Sequence, residues 1–271
     1  MNEIIKLFDE NLIGQPGLSR YIHPGVDWTR NTEEYDIAIY VDRMCFTSKI
    51  REDKQNYAWI VEPSIINGDN YNNVVKSKNN FKNIFTHSTD MLNRAENAVY
   101  VPHGGTWLRE EDINLHEKSK MTSFIFSCKQ WNSYHKMRFR VYEAIKHNKV
   151  DFYGTGPEKP IDFKIKGLKD YRFSIVIENN DDGDYFSEKL LDCFLSGTVP
   201  IYLGIKNIGK FFDSNGMFFF TEPEHVAQIL DTLTPELYLS KIDSVKANFE
   251  LAKKYMFPEK IIQTYINNKN A

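Results

Sequence analysis

The chain carries no basic excess: 34 Lys and Arg stand against 37 Asp and Glu, a net charge of −3, so the electrostatic footprint of a nucleic-acid binder is missing. Cysteine is scarce as well. Cys45, Cys128 and Cys193 are odd in number, far apart and outside any metal-ligand spacing, which excludes a disulfide framework and suits a reducing compartment. No apolar run approaches the about 20 residues that a bilayer span requires. The opening Met1-Asn2-Glu3 is not basic, and residues 4–8 are too short and interrupted to form the apolar core of a secretory leader. These absences predict no nucleic-acid partner, no transmembrane segment and a cytoplasmic location, with peripheral attachment at a membrane surface as the alternative. No low-complexity tract or fixed-period repeat is present. Gly154-Thr155-Gly156-Pro157 does not complete a dinucleotide fingerprint and there is no Walker-type loop, so NAD and ATP sites lose support.

What is present is ample apolar material: 41% hydrophobic and 14% aromatic residues over 271 positions can fill one large or two small cores without staples. Short buried-type strands are predicted over residues 36–41, 57–61, 83–86 and 99–101. A polar stretch, 109–120, has the composition of a linker. A second series follows, with strands over 123–127, 150–153, 173–177 and 217–220, a further buried strand closing the segment that ends at Gly204, and helices over about 135–147, 222–233 and 235–255. Strands alternating with helices in two blocks predict two doubly wound, Rossmann-like α/β domains facing across a cleft, residues 1–118 and 119–271. The C-terminal helix is expected to pack back on the first.

Residues 171–204 form the most informative segment. Phe173 to Ile177 is nearly continuously apolar, as in a parallel strand covered on both faces. Glu178-Asn179 and the loop Asn180-Asp181-Asp182-Gly183-Asp184 then make a polar elbow, with Asp184 the expected N-cap of a helix from about Tyr185 and Gly197 its stop. The polar residues therefore collect outside the carboxyl end of a strand and beside a helix N-terminus, a placement that favours phosphate.

Lys189, in this helix, and Arg138, near the start of the helix after the second block's first strand, are predicted at the same sheet edge, where together they could hold a diphosphate. The alternative is two solvated helix charges. Glu178, Asn179 and Glu188 have the hydrogen-bonding capacity for ribose or sugar hydroxyls, against capping and turn roles. Asp182-Gly183-Asp184 matches an Asp-x-Asp metal pattern, but two carboxylates are too few for an oxygen-ligand site. Glu62 leaves a buried strand into the expected cleft, where a raised pKa would suit a general base. His87 and His103 follow the next two strands of the same domain and are candidates for touching an acceptor, or structural histidines.

The second block resembles the C-terminal half of the α-1,3/1,4-fucosyltransferases of glycosyltransferase family ten. The likeness rests on Tyr171-Arg172-Phe173, Ile177-Glu178-Asn179, Tyr185-Phe186-Ser187-Glu188-Lys189 and Val199-Pro200-Ile201-Tyr202-Leu203-Gly204, with Arg138 to Gly156 upstream and weaker likenesses around Trp59 to Ser64 and Val99 to Gly105. The resemblance implies a GT-B fold with the acceptor domain first and the donor domain second. It implies an inverting transfer from GDP-fucose to a hydroxyl of an oligosaccharide or lipopolysaccharide-type acceptor. It further implies that Arg138 and Lys189 hold the GDP phosphates, that Asn179, Tyr185 and Glu188 surround nucleotide and sugar, that Glu62 is the base, and that a divalent metal is not obligatory. The alternatives are a GT-B transferase of another nucleotide sugar, or a catalytically inactive nucleotide-sugar or glycan-binding module.

Overall fold

The computed structural model describes residues 3–10, 12, 15–155 and 160–270; Gly156 and Pro157 lie outside them. In the first unit the elements are β1 (Ile5–Phe8), β2 (Trp28–Thr29), β3 (Ile37–Val41), α1 (Met44–Thr47), β4 (Gln55–Ile60), α2 (Ser64–Lys76), β5 (Ile84–Thr86), α3 (Thr89–Arg94) and β6 (Ala98–Tyr100). In the second they are β7 (Lys120–Ser127), α4 (Ser133–Ile145), β8 (Asp151–Thr155), β9 (Tyr171–Ile177), α5 (Glu188–Leu195), β10 (Val199–Leu203), β11 (Phe218–Phe219), α6 (Pro223–Thr232), α7 (Pro235–Ser240) and α8 (Ile242–Lys253), followed by α9 (Pro258–Asn270).

Each unit holds one sheet, and among the described residues every strand pair within these sheets is parallel. The orders are β2-β1-β3-β4-β5-β6 and β11-β10-β9-β7-β8. In both, the chain steps to one side of its first strand and then returns to build the other side. The winding therefore reverses at β1/β3 and at β7/β9, which opens a crevice at the carboxyl ends of those strands.

The apolar strands are covered on both faces. One face of the first sheet packs Ala38, Tyr40, Ala58, Ile60 and Ile84 against Tyr71 and Val74 of α2 and Met91 of α3. The other packs Ile37, Ile39, Tyr57, Trp59 and Phe85 against Ile262 and Ile266 of α9, so the chain returns to the first unit to finish its core. In the second unit Phe124, Phe173, Ile175 and Ile201 meet Val141 and Ile145 of α4 and Val226 of α6 on one side, while Val176 and Tyr202 meet Leu190, Leu191 and Phe194 of α5 on the other.

Three departures from the expected layout have local causes. Residues 5–8 form a central strand, because Ile5 and Leu7 have a neighbouring core to enter. The stretch 109–120 is docked on the second unit: Lys118 Nζ donates to the carbonyls of Leu168 (3.3 Å), Lys169 (3.0 Å) and Ser196 (2.7 Å) and to Thr198 Oγ1 (3.0 Å). Burial pushes that ammonium down to about 7. The helix of the polar elbow begins at Glu188, not at Tyr185. Its N-cap is Ser187, while Asp184 Oδ1 instead accepts from Asn207 Nδ2 at 2.5 Å.

Candidate active site

The carboxyl edges of the two sheets face each other, and three contacts between the units fix how closely. Gly104, beyond β6, forms a parallel bridge with Ser187, and its N–H donates to the Phe186 carbonyl at 3.1 Å. The Asp-Gly-Asp loop reaches across to α3: a Cβ on Gly183 would stand 3.0 Å from Thr89 N, and the residue has φ +64°. Asp192 of α5 accepts from Thr106 Oγ1 (2.5 Å) and Trp107 N (3.1 Å), and is paired with Lys164 Nζ at 2.7 Å. Burial would lower the Lys164 ammonium, but Asp192 and Glu188 hold it up.

At the β7/β9 crevice α4 and the end of β9 are stapled together. Arg138, 6% exposed, donates from Nε and Nη2 to the Ile177 carbonyl (3.2 and 2.9 Å), and from Nη2 to the Glu178 carbonyl (3.1 Å) and Asn179 Oδ1 (2.6 Å). Nη1 takes no part in these bonds. Asn179 is half-buried and also meets the ring of His135, whose Nδ1 is buried without a partner. Burial, with Arg138, Lys129 and Lys189 adding to it, pushes His135 down to about 4.

The N-terminus of α5 is built on Glu178. Its carboxylate accepts from Ser187 N (2.9 Å) and Ser187 Oγ (2.5 Å), and Ser187 Oγ accepts from Lys189 N at 3.3 Å. Burial raises the Glu178 carboxyl, against the nearby Lys189. Lys189 Nζ lies 2.9 Å from Glu188 Oε1. Burial would raise Glu188 too, but Lys189, Lys164 and His103 outweigh it and hold that carboxyl well below the usual range.

From the first unit Glu62 enters this group one residue beyond Val61, at the end of β4. Burial, then Asp42, raises its carboxyl to about 7, and Lys189, Glu188 and Lys129 of the second unit all act on it. His103 and His87 stand beside it in sheet order. His103 packs on Tyr185 with centroids 5.1 Å apart, His87 on Tyr185 at 4.9 Å, and the two imidazoles are 6.1 Å apart. Burial pushes His103 down to about 4 and His87 to about 3, so both are neutral at neutral pH.

The residues expected to form the site thus converge, but three of them cannot touch a ligand as expected. Glu178 is 0% exposed and spends its carboxylate on Ser187, Tyr185 is 1% exposed beneath two histidines, and His87 is 2% exposed with Nε2 on the Val61 carbonyl at 3.1 Å. Each supports the site from below because the elbow's apolar pair, Tyr185 and Phe186, plugs the junction between the units. Lys189, Asn179, Glu62 and His103 retain surface. Sequence reasoning missed Asp42, Ser187, His135 and the Lys164–Asp192 pair. A serine directly before Glu-Lys at a helix start was a readable signal for Ser187; Asp192 and Lys164 meet only in the fold. Two cavities, of about 150 Å³ beside Trp28 and Arg30 and about 340 Å³ beside Lys120 and Tyr171, touch none of these residues.

Residues 115–244 match the family model described as glycosyltransferase family 10 (fucosyltransferase) C-term, which takes in Arg138, Asn179, Ser187 and Lys189. This half is a fucosyltransferase-like domain of glycosyltransferase family ten. Alpha-(1,3)-fucosyltransferase 4 of Mus musculus is 32% identical over 124 residues, 41% of this chain and 28% of that protein. The chain spans between 20% and 33% of the length of the first curated relatives that it matches. Among solved structures, an alpha1,3-fucosyltransferase with GDP superposes with a TM-score of 0.61 at 16% identity, covering 97% of this chain and 88% of that one. Anabaena HepE in complex with UDP and glucose gives 0.64 at 12% identity, covering 87% and 78%. Across its two units the chain thus has the GT-B fold. The match stops before the first unit, so Glu62 and His103 lie outside the segment that defines the family.

Proposed function

We propose that this protein transfers fucose from GDP-fucose to a hydroxyl of an oligosaccharide or lipopolysaccharide-type glycan, in an α-1,3 or α-1,4 linkage, with inversion at the anomeric carbon. The acceptor oxygen forms its bond to that carbon as the bond to the GDP phosphate oxygen breaks; the hydroxyl proton passes to the Glu62 carboxylate and the electron pair leaves with GDP. Lys189 and the Nη1 edge of Arg138 stabilise the departing diphosphate, with Asn179 and Glu188 beside the nucleotide and sugar and His103 on the acceptor side. The reading is carried by one observation: a carboxyl pushed up to about 7 stands at the carboxyl end of a first-unit strand under the direct influence of Lys189 of the second. A base that is half ionised near neutrality and a cation on the opposite wall are what a single displacement between two bound sugars requires. Support also comes from the family match around the donor side, and from the solved alpha1,3-fucosyltransferases, one with GDP and one with GDP-fucose.

The two cations supply the positive charge, so transfer should proceed in the presence of a chelator. Among the described residues no helix is long and apolar enough to cross a membrane, and Cys45, Cys128 and Cys193 are free thiols. The test is an acceptor array with labelled GDP-fucose and mass analysis of the product. Lys189→Ala should lower turnover roughly a hundredfold, the usual effect of removing a preorganised charge donor. Turnover within about tenfold of wild type would remove Lys189 from the diphosphate. Stronger binding of UDP than of GDP would point to a different nucleotide sugar, and GDP-fucose binding without consumption to an inactive module.

A further inference from the structure

Asp42 follows β3 directly, in the loop beside Glu62, at the β1/β3 crevice of the first unit. It has the only positive φ among the described non-glycine residues, +48°, and is 1% exposed. Asp and Asn tolerate this left-handed conformation better than other side chains, yet non-glycine residues held there concentrate where function requires the geometry. The unusual backbone turns the carboxylate toward the next strand. Asp42 Oδ1 accepts from Val61 N at 3.0 Å and from Glu62 N at 3.2 Å, while Asp42 N donates to the Trp59 carbonyl at 3.0 Å. Both amides at the end of β4 are thereby tied to one buried oxygen. A second hold comes from α2, where the Tyr71 hydroxyl donates to the Glu62 carbonyl at 3.2 Å.

We propose that Asp42 is the positioning residue of the candidate active site, fixing the backbone from which Glu62 projects and supplying the negative charge against which its carboxyl works. The inference rests on Glu62 being the base of the proposed transfer, but the contact itself does not. Asp42 is the second contribution, after burial, to the raised Glu62 carboxyl. The other charges facing Glu62 are Glu188, which acts in the same sense, and Lys189 and Lys129, which oppose it, with the Tyr185 phenol packed below. Tyr71, on the α2 side, itself feels Asp42, Asp182 and Asp90. The two amide hydrogen bonds hold the Asp42 carboxyl directly against the backbone of Glu62.

The experiment compares Asp42→Asn and Asp42→Ala with wild type and Glu62→Gln. Asparagine keeps the left-handed backbone and an oxygen acceptor for the two amides, and removes only the charge. By carbonyl-13C NMR, with Glu62→Gln assigning the resonance, the Glu62 titration midpoint in Asp42→Asn should fall by about half a pH unit or more. The acid limb of kcat/KM for fucosyl transfer should move down with it. Asp42→Ala should lose kcat by about tenfold or more at the pH plateau, with KM for GDP-fucose within about twofold, and Asp42→Asn should restore most of it. A Glu62 midpoint unchanged in Asp42→Asn would overturn the inference whether or not Asp42→Ala folds. Wild-type turnover in Glu62→Gln would instead overturn the base assignment, leaving the midpoint in Asp42→Asn to decide the role of Asp42.

Discussion

In the proposed transfer, a carboxyl raised to about 7 would make Glu62 a base whose charge follows pH near neutrality. Only its ionised form can take a proton, so kcat/KM should climb as pH rises through about 7 and fall about tenfold per unit below it. Glu62→Gln should leave a low, flat residual over that range, measurable with labelled GDP-fucose. Ser187 is the most heavily used small side chain of the site, since it caps α5 and donates to buried Glu178. Ser187→Ala should therefore cost about 1–3 kcal/mol in denaturant melts, because it removes a cap and strips a buried carboxylate of a donor. At this scale legibility followed sequence distance. Lys189, Asn179 and Glu188 lie in one elbow and were readable from its pattern. Asp42 acts on an amide 20 residues away through the β3/β4 pairing, which no local pattern encodes.

The elements that join the two units tolerate little change because they touch through backbone. A Cβ on Gly104 would lie 2.1 Å from the Tyr255 carbonyl oxygen, and the residue sits at φ +60°. Gly104→Ala should cost about 1–3 kcal/mol or more from strain alone, read as a lower denaturation midpoint. The elements of the sheets were legible because parallel strands covered on both faces read as continuous apolar runs. The start of α5 was not, because Tyr185-Phe186 looks like the first turn of an amphipathic helix and is instead an apolar plug between the units. The stretch 109–120 misled for the opposite reason: Lys118 is polar in sequence, but its four acceptors exist only after β9 and α5 have packed.

For the molecule as a whole, α9 is the element whose importance exceeds its sequence signal. Ile262 and Ile266 are each 0% exposed within the first unit's core, so Ile266→Ala should cost about 2–5 kcal/mol, as buried aliphatic truncations do. The loss should appear in thermal melts. Glu259 Oε1 accepts from Leu18 N at 2.6 Å, and burial raises its carboxyl to about 7. The folded state then keeps a proton that the unfolded chain releases above about 4.5, so this group's contribution to stability declines as pH rises from there to about 7. The melting temperature of Glu259→Gln relative to wild type should accordingly increase between pH 5 and pH 7. The doubly wound architecture was legible from alternating strands and helices. The dependence of residues 5–101 on residues 262 and 266 was visible only as an expected return of a C-terminal helix, without its contacts.

That return sets an order of events during synthesis. The β1–β6 sheet leaves the ribosome with one apolar face uncovered, and its lid is made about 160 residues later, roughly ten to thirty seconds at ordinary elongation rates. The helices and strands of the second unit are all synthesised by Lys253, and its core by Met256, within that interval. For that time Ile37, Ile39, Trp59 and Phe85 are open to chaperones, and a ribosome stalled before residue 262 would release a chain whose first sheet keeps an uncovered, aggregation-prone apolar face.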